Sequence, residues 1–292
     1  MLDDDARLLV AVEFDGCALT SRDHAPVTGP EGTWSTGGSR RLLVGFLLAM
    51  LMSPAMARVD GPEILAADAL DQFNEALADK SVLMLEEALS DFDLVYEKVS
   101  AKTVKKFHRA YGKLFKLEPR EEIREDGSDP REELLIAYQL ALGTVFDKKG
   151  GDLIILSGLK LGHIKRWPDA EALFVDALGF RADPKNIKVL ASYLKSEEAP
   201  VVRASAHGLS MFSESDIDVR RSAVKPLIDA LTVCSKAAEK EAKKGKREEA
   251  QEYFIAVEGT YYDALLKLTR KRLDSASDYE TWFKKNGSGE TW

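Results

Sequence analysis

The chain has 292 residues, 45% of them hydrophobic and 31% charged, enough for one large or two ordinary domains. Acidic residues outnumber basic ones, 49 to 41, for a formal net charge of -8, and no long basic stripe of the kind that binds nucleic acid is present. The only cysteines are Cys17 and Cys234, too few to build a fold on disulfides, so stability must come from a hydrophobic core.

The first 57 residues differ from the rest. Residues 1–39 are rich in Gly, Asp and Thr and show no period past Phe14, so they read as a disordered leader. Initiation downstream of Met1, for example at Val27, would remove much of it. Residues 40–57 have the layout of a signal peptide: Arg40-Arg41, an apolar run from Leu42 to Met52, and a break at Ser53-Pro54. Ala55 and Ala57 then supply the small residues of a cleavage site between Ala57 and Arg58. The run is about 11 residues, short of the ~20 that span a bilayer. A buried core helix or an uncut anchor are the alternatives for the same run. Cleavage would leave a periplasmic or secreted chain without a stable membrane anchor. Cys234 would then be its one thiol, in the apolar stretch around Val233, where a buried small hydrophobe is the expectation.

From Pro62 onward the periodicity is helical. Leu65, Ala69, Phe73 and Leu77 form a stripe over 62–78, with Pro62 suited to a first turn. Leu83, Leu85, Leu89, Phe92 and Val95 mark a helix over 81–99, and Val104, Phe107, Tyr111, Leu114 and Phe115 another over 101–117. Residues 118–133 read as a charged connection; they lack the spacing of a calcium loop. Asp129 is an N-cap and Pro130 a first residue for a helix to Phe146, which Gly150-Gly151 stop. Asp152–Ile164 reads as an apolar helix, weakened by Gly158 and Gly162. Trp167-Pro168-Asp169 interrupts, and Ala170–Phe180 follows.

The clearest helix pair spans Asp183–Phe212. Ile187, Leu190 and Leu194 share one face of the first helix, after a cap at Asp183-Pro184. A turn at 196–200 leads to a second helix with Val202, Ala206 and Leu209 on one face. Its small residues Ala204, Ala206 and Gly208 allow a neighbouring helix to come close. Another unit begins at Ser215, where Pro226 predicts a kink or break near Lys225. The charged stretch after Ser235 predicts a helical hairpin with its tip near Gly245, read as a solvated face rather than a basic binding patch. A helix from Tyr253 to about Leu273 follows, with Ile255, Tyr262, Leu265, Leu266 and Leu268 apolar. Ser277 to Glu280 fits a capping box, Trp282-Phe283 should close the end as a lid, and 287–292 should fray.

The stretch Asp183–Leu231 resembles HEAT repeats: Glu197 stands at the turn acid, and Val202-Arg203 and Val219-Arg220 at the starts of second helices. The closing pattern Ala264, Leu265, Leu268, Thr269, then Tyr279, Trp282 and Phe283, is similar to the end of secreted bacterial HEAT-repeat proteins, with Arg270 where they carry Gly. The resemblance implies an all-α, right-handed α-α superhelix, a HEAT-like solenoid over 58–286, with armadillo- or TPR-like stacking as the alternative. Such arrays use an inner row of second helices, here including 129–146 and 200–212, to hold a partner.

No catalytic constellation is present. His108, His163 and His207 stand apart without zinc-ligand spacing, and no nucleophile elbow, phosphate loop or dinucleotide fingerprint occurs. The sequence therefore points to an exported scaffold or adaptor that binds protein, with no cofactor, no metal and no nucleic acid. A structural subunit of an envelope or secretion assembly is the first alternative, and an enzyme on a helical-repeat frame the second.

Overall fold

A computed structural model describes residues 61–79, 81–119, 129–243 and 249–289, all within one unit, Asp60–Trp292. The expected leader, the signal segment with its Ala57–Arg58 cleavage site, the hairpin tip at Gly245 and residues 290–292 lie outside the described residues.

Helices start where side-chain oxygens can take the first free amide protons. Ser81 accepts from Met84 N at 3.3 Å, Ser100 from Thr103 N at 3.4 Å, and Asp129 from Arg131 N at 2.8 Å. The elements are α1 (Pro62–Asp79), α2 (Val82–Val95), α3 (Ala101–Leu114), α4 (Pro130–Val145), α5 (Gly151–Gly158), α6 (Gly162–Lys165), α7 (Pro168–Phe180), α8 (Ile187–Tyr193), α9 (Ala199–Ser210), α10 (Ile217–Ala242), α11 (Glu249–Thr269) and α12 (Ala276–Asn286). Short 3-10 turns lie at Tyr96–Lys98, Pro184–Asn186 and Met211–Glu214, and no strand occurs among the described residues. The protein is all-α.

Where side chains join helices that follow one another, the two run antiparallel. Going backward along α3, Phe115 meets Tyr138 and Tyr111 meets Thr144 further along α4. In α10 and α11, Arg220 reaches Leu268 O while Glu241 accepts from Ala250 N. Alternate helices instead pack side by side in the same direction. Glu63 at the start of α1 accepts from Ser100 N and Thr103 Oγ1 at the start of α3. Phe146 after α4 touches Phe180 at the end of α7, and Tyr253 near the start of α11 donates to Ser196 O just before α9. The packing sequence α2, α4, α7, α9, α11 runs unbroken through the unit, with α1 on α3, α3 on α5 and α8 on α10 alongside.

Aromatic rings tie the successive pairs together. Phe73 stacks on Phe92 (5.3 Å), Phe92 on Phe107 (4.2 Å), and Phe115 meets Phe174 edge-on at 4.7 Å. Tyr138 of α4 meets both Phe115 and Phe174, so α1 to α4 share one core with α7, and Phe73, Phe92, Phe107, Phe115 and Phe174 are fully buried. Further along, small residues take over. A Cβ on Gly179 of α7 would stand 2.2 Å from Gly208 Cα of α9, so the two backbones touch. That contact is the close approach expected from the small residues of the second helix.

Several sequence expectations need correction. The run 152–164 is not one helix: it ends at Gly158 and restarts at Gly162. A Cβ at Gly158 would lie 2.1 Å from the Phe174 ring, so that glycine makes room for the central aromatic. Pro226 does not break its helix; α10 continues through it to Ala242. Burial of Ala223, Leu227, Leu231 and Val224 on both sides of the proline outweighs one missing hydrogen bond. In α1 the buried face is Ala66, Ala69, Phe73 and Ala76, and Leu65 is exposed; in α2 Leu83 is exposed. In α11, which starts earlier than expected, Val257 and Tyr261 are buried, Tyr262 is half-buried, and Ile255 is exposed. The last cap is Ser275, which accepts from Asp278 N at 3.1 Å, not Ser277. The terminal lid rests on buried Ala276 and Tyr279, with Phe283 only partly covered.

Arg270, standing where the resemblance places Gly, has φ 57, the left-handed region that favours glycine. Urea unfolding checks these contacts. Gly179→Ala should cost about 1–3 kcal/mol through forced separation of α7 and α9. Gly143→Ala, with nothing within 4 Å of its Cβ position, should gain up to about 1 kcal/mol. Arg270→Gly should gain about 1 kcal/mol by removing the left-handed penalty, less whatever its exposed ion pair with Glu214 contributes.

Candidate functional site

Helix α7 packs on α4, α5, α6, α8 and α9, and one stripe of it is only partly covered. The stripe is Asp169, Ala172, Leu173, Asp176 and Phe180, all exposed or half-covered. Helix α9 repeats the arrangement: Ala170, Phe174 and Leu178 of α7 are buried as Val201, Ser205 and Leu209 of α9 are, and its uncovered stripe is Pro200, Arg203, Ala204 and His207. The two stripes lie side by side because the Gly179–Gly208 contact brings the backbones together.

Two contacts at one imidazole join the stripes. His207 Nδ1 lies 2.6 Å from Asp176 Oδ1, from positions 31 residues apart in the chain. The edge of Phe180 packs on the same imidazole at 5.6 Å and 78°. Both members of the pair are partly covered, so the pair is held in one place yet reachable from solvent. Next to it Arg203 donates through Nη1 to Ala256 O at 3.3 Å, which carries the face on to α11, where Ile255 is 62% exposed. The face thus offers apolar side chains, an acid–imidazole pair and a guanidinium. That combination suits recognition of a protein surface.

His163 and His108 are structural. His163 Nε2–H donates to Phe115 O at 2.9 Å, and the Tyr138 hydroxyl beside it donates to Leu117 O. Both satisfy carbonyls at the end of α3, and burial pushes the Tyr138 hydroxyl pKa up. His108 Nε2 lies 2.6 Å from the Tyr96 hydroxyl, which donates to Lys149 O at 3.2 Å. Among the described residues no histidine joins another, and no group of three or more His, Cys, Asp or Glu is placed to hold a metal. Cys234 is half-buried, and burial raises its thiol pKa, as for a packing residue. A groove of about 570 Å³ at the starts of α4 and α7 carries Glu118, Asp129, Glu132, Arg166 and Trp167 beside His163. Its charges are mixed in sign.

The residues named in the HEAT-like pattern take different parts. Val202 and Leu209 are core, Ala204 lies on the uncovered face, and Glu197 is exposed in the turn. Arg203 and Arg220 both donate to carbonyls of α11, Ala256 O and Leu268 O, so Arg203 ties α11 to α9 and Arg220 ties it to α10. Sequence reasoning did not single out Asp176; alignment of α7 with α9 at the 31-residue separation of the pair would have found it. Comparison with protein-family models, with characterised proteins and with solved structures gave no match.

Burial lowers the His108 pKa below its ordinary value, because the imidazolium is the form that loses solvation. The unfolded chain then takes up the proton first. This contribution to stability is complete above the unfolded pKa of about 6.5 and is lost as pH falls through the folded pKa. The urea midpoint should therefore drop on acidification below about pH 6.5, and His108→Gln should flatten that part of the profile.

Proposed function

We propose that the protein is an exported helical-repeat scaffold that binds a protein partner through the partly covered face of α7, α9 and α11. In this reading the helix pairs form a HEAT-like right-handed superhelix, with α2, α4, α7, α9 and α11 as the inner row. The single observation that carries it is the parallel stacking of α7 and α9 with matching burial, which is the arrangement a repeat array needs to bury its core. The Asp176–His207 pair and Arg203 then occupy the middle of the recognition surface. The apolar run ahead of Arg58 supports export to the periplasm or beyond. The role is that of an adaptor rather than a catalyst. It needs no cofactor, metal or nucleic acid.

Affinity capture from an envelope fraction tests this, with the full chain and its Leu173→Glu/Arg203→Glu variant as paired baits. A protein recovered by the first and lost at least about tenfold with the second, at equal thermal stability, is the expected result. Equal recovery by both would remove the face from the account. Amino-terminal sequencing of the exported protein should begin at Arg58.

A second reading, a structural subunit of an envelope assembly, is favoured by four exposed large apolar residues on the first helix pair: Ile64, Leu65, Leu83 and Leu94.

A further inference from the structure

The charges of the first three helices are sorted by helix. Helix α1 carries Glu63, Asp68, Asp71, Glu75 and Asp79 and no base. Helix α3 carries Lys102, Lys105, Lys106, Arg109 and Lys113 and no acid. The two helices lie side by side and parallel. Glu63 is bound to Ser100 and Thr103 at one end, and Lys113 Nζ donates to Asn74 Oδ1 at 2.9 Å toward the other.

Those contacts fix which flanks face each other. At 100° per residue, Glu63 and Asn74 of α1 point toward α3, while Ala66, Ala69 and Phe73 point into the core. Ile64, Asp68, Asp71 and Glu75 are left on the opposite side, all exposed. The same construction on α3 sets Thr103 and Lys113 toward α1 and Phe107 inward. Lys102, Lys105 and Arg109 are left on the outer side, again all exposed. Measured from the line joining the helices, both outer stripes turn the same way. One surface therefore carries an acidic stripe directly beside a basic one. No ion pair among the described residues joins Asp68, Asp71 or Glu75 to Lys102, Lys105 or Arg109. The two stripes stay unneutralised by each other within the chain.

We propose that this surface binds a second copy of the chain. A two-fold axis parallel to the helices and midway between them sets α1 of one copy on α3 of the other, and the reverse contact forms by symmetry. Every acidic stripe then meets a basic one. The 18-residue α1 is about 27 Å long, and two helices about 9 Å apart present about 500 Å² per copy, near the lower bound for a specific interface. Ile64, 51% exposed, is the apolar side chain it would cover. The dimer is held mainly by charge, and its strength falls as salt rises. The surface is separate from the α7–α9 face, and the inference does not depend on that face binding anything.

Sedimentation velocity of the full chain tests the proposal, at about 0.01 M and about 1 M salt, where the screening length falls from about 30 Å to about 3 Å. A dimer at low salt that dissociates at high salt is expected. Asp68→Lys/Asp71→Lys and, separately, Lys105→Glu/Arg109→Glu each place like charges across both contacts and should weaken association about a hundredfold or more. An equimolar mixture of the two variants, and a chain carrying all four changes, should each recover the dimer, because opposite charges meet again. Recovery also shows that the variants fold. A wild-type monomer at low salt, a dimer indifferent to the reversals, or a mixture that fails to associate would each overturn the proposal.

Discussion

Two glycines in contact, Gly179 and Gly208, set the distance between α7 and α9, and much of the unit follows from it. With the backbones touching, α9 covers one flank of α7 while Phe174 points into the ring cluster with Phe115 and Tyr138. Leu190 of α8 also fits against Gly208, so the same contact seats the first helix of its own pair. It also places Asp176 beside His207 and Phe180 beside the imidazole. Packing continues without a gap along α2, α4, α7, α9 and α11.

The chain uses two different devices for that stacking. In the first half, aromatic rings fill wide spaces between α1, α2, α3 and α7, with Phe92 touching both Phe73 and Phe107. In the second half, Gly, Ala and Ser let the backbones approach, as where Ser205 Oγ donates to Leu190 O inside the core. Tyrosine hydroxyls serve both halves by taking up carbonyls at helix ends: Tyr138 at Leu117, Tyr253 at Ser196 and Tyr279 at Lys271. Their polar chemistry is spent on closing the fold. The reactive-looking residues of the sequence are mostly structural for the same reason.

Helix content was legible because caps and period agree: Ser81, Ser100, Asp129 and Asp183 all start elements as their residue types predict. Errors arose where the largest apolar residue was assumed to be the buried one. Small Ala66 and Ala76 are core while Leu65 and Leu83 are exposed, because close helix packing selects for small side chains. Gly158 was marked as a weak point, but its reason, the Phe174 ring of another helix, is not local, and the continuity through Pro226 was not legible at all. The pairing of Asp176 with His207 is of this kind. Only the register between α7 and α9 reveals it. The sorting of acids onto α1 and bases onto α3 was in the sequence all along, but its meaning needs the side-by-side placement that Glu63 and Asn74 fix.

The central claim is that α7 and α9 lie parallel with their backbones in contact. Nuclear Overhauser spectroscopy on the isotope-labelled protein reads that contact directly. A strong cross-peak between the α-protons of Gly179 and Gly208 is the predicted result. Its absence, in spectra where neighbouring contacts within α7 and within α9 are resolved, would contradict the account.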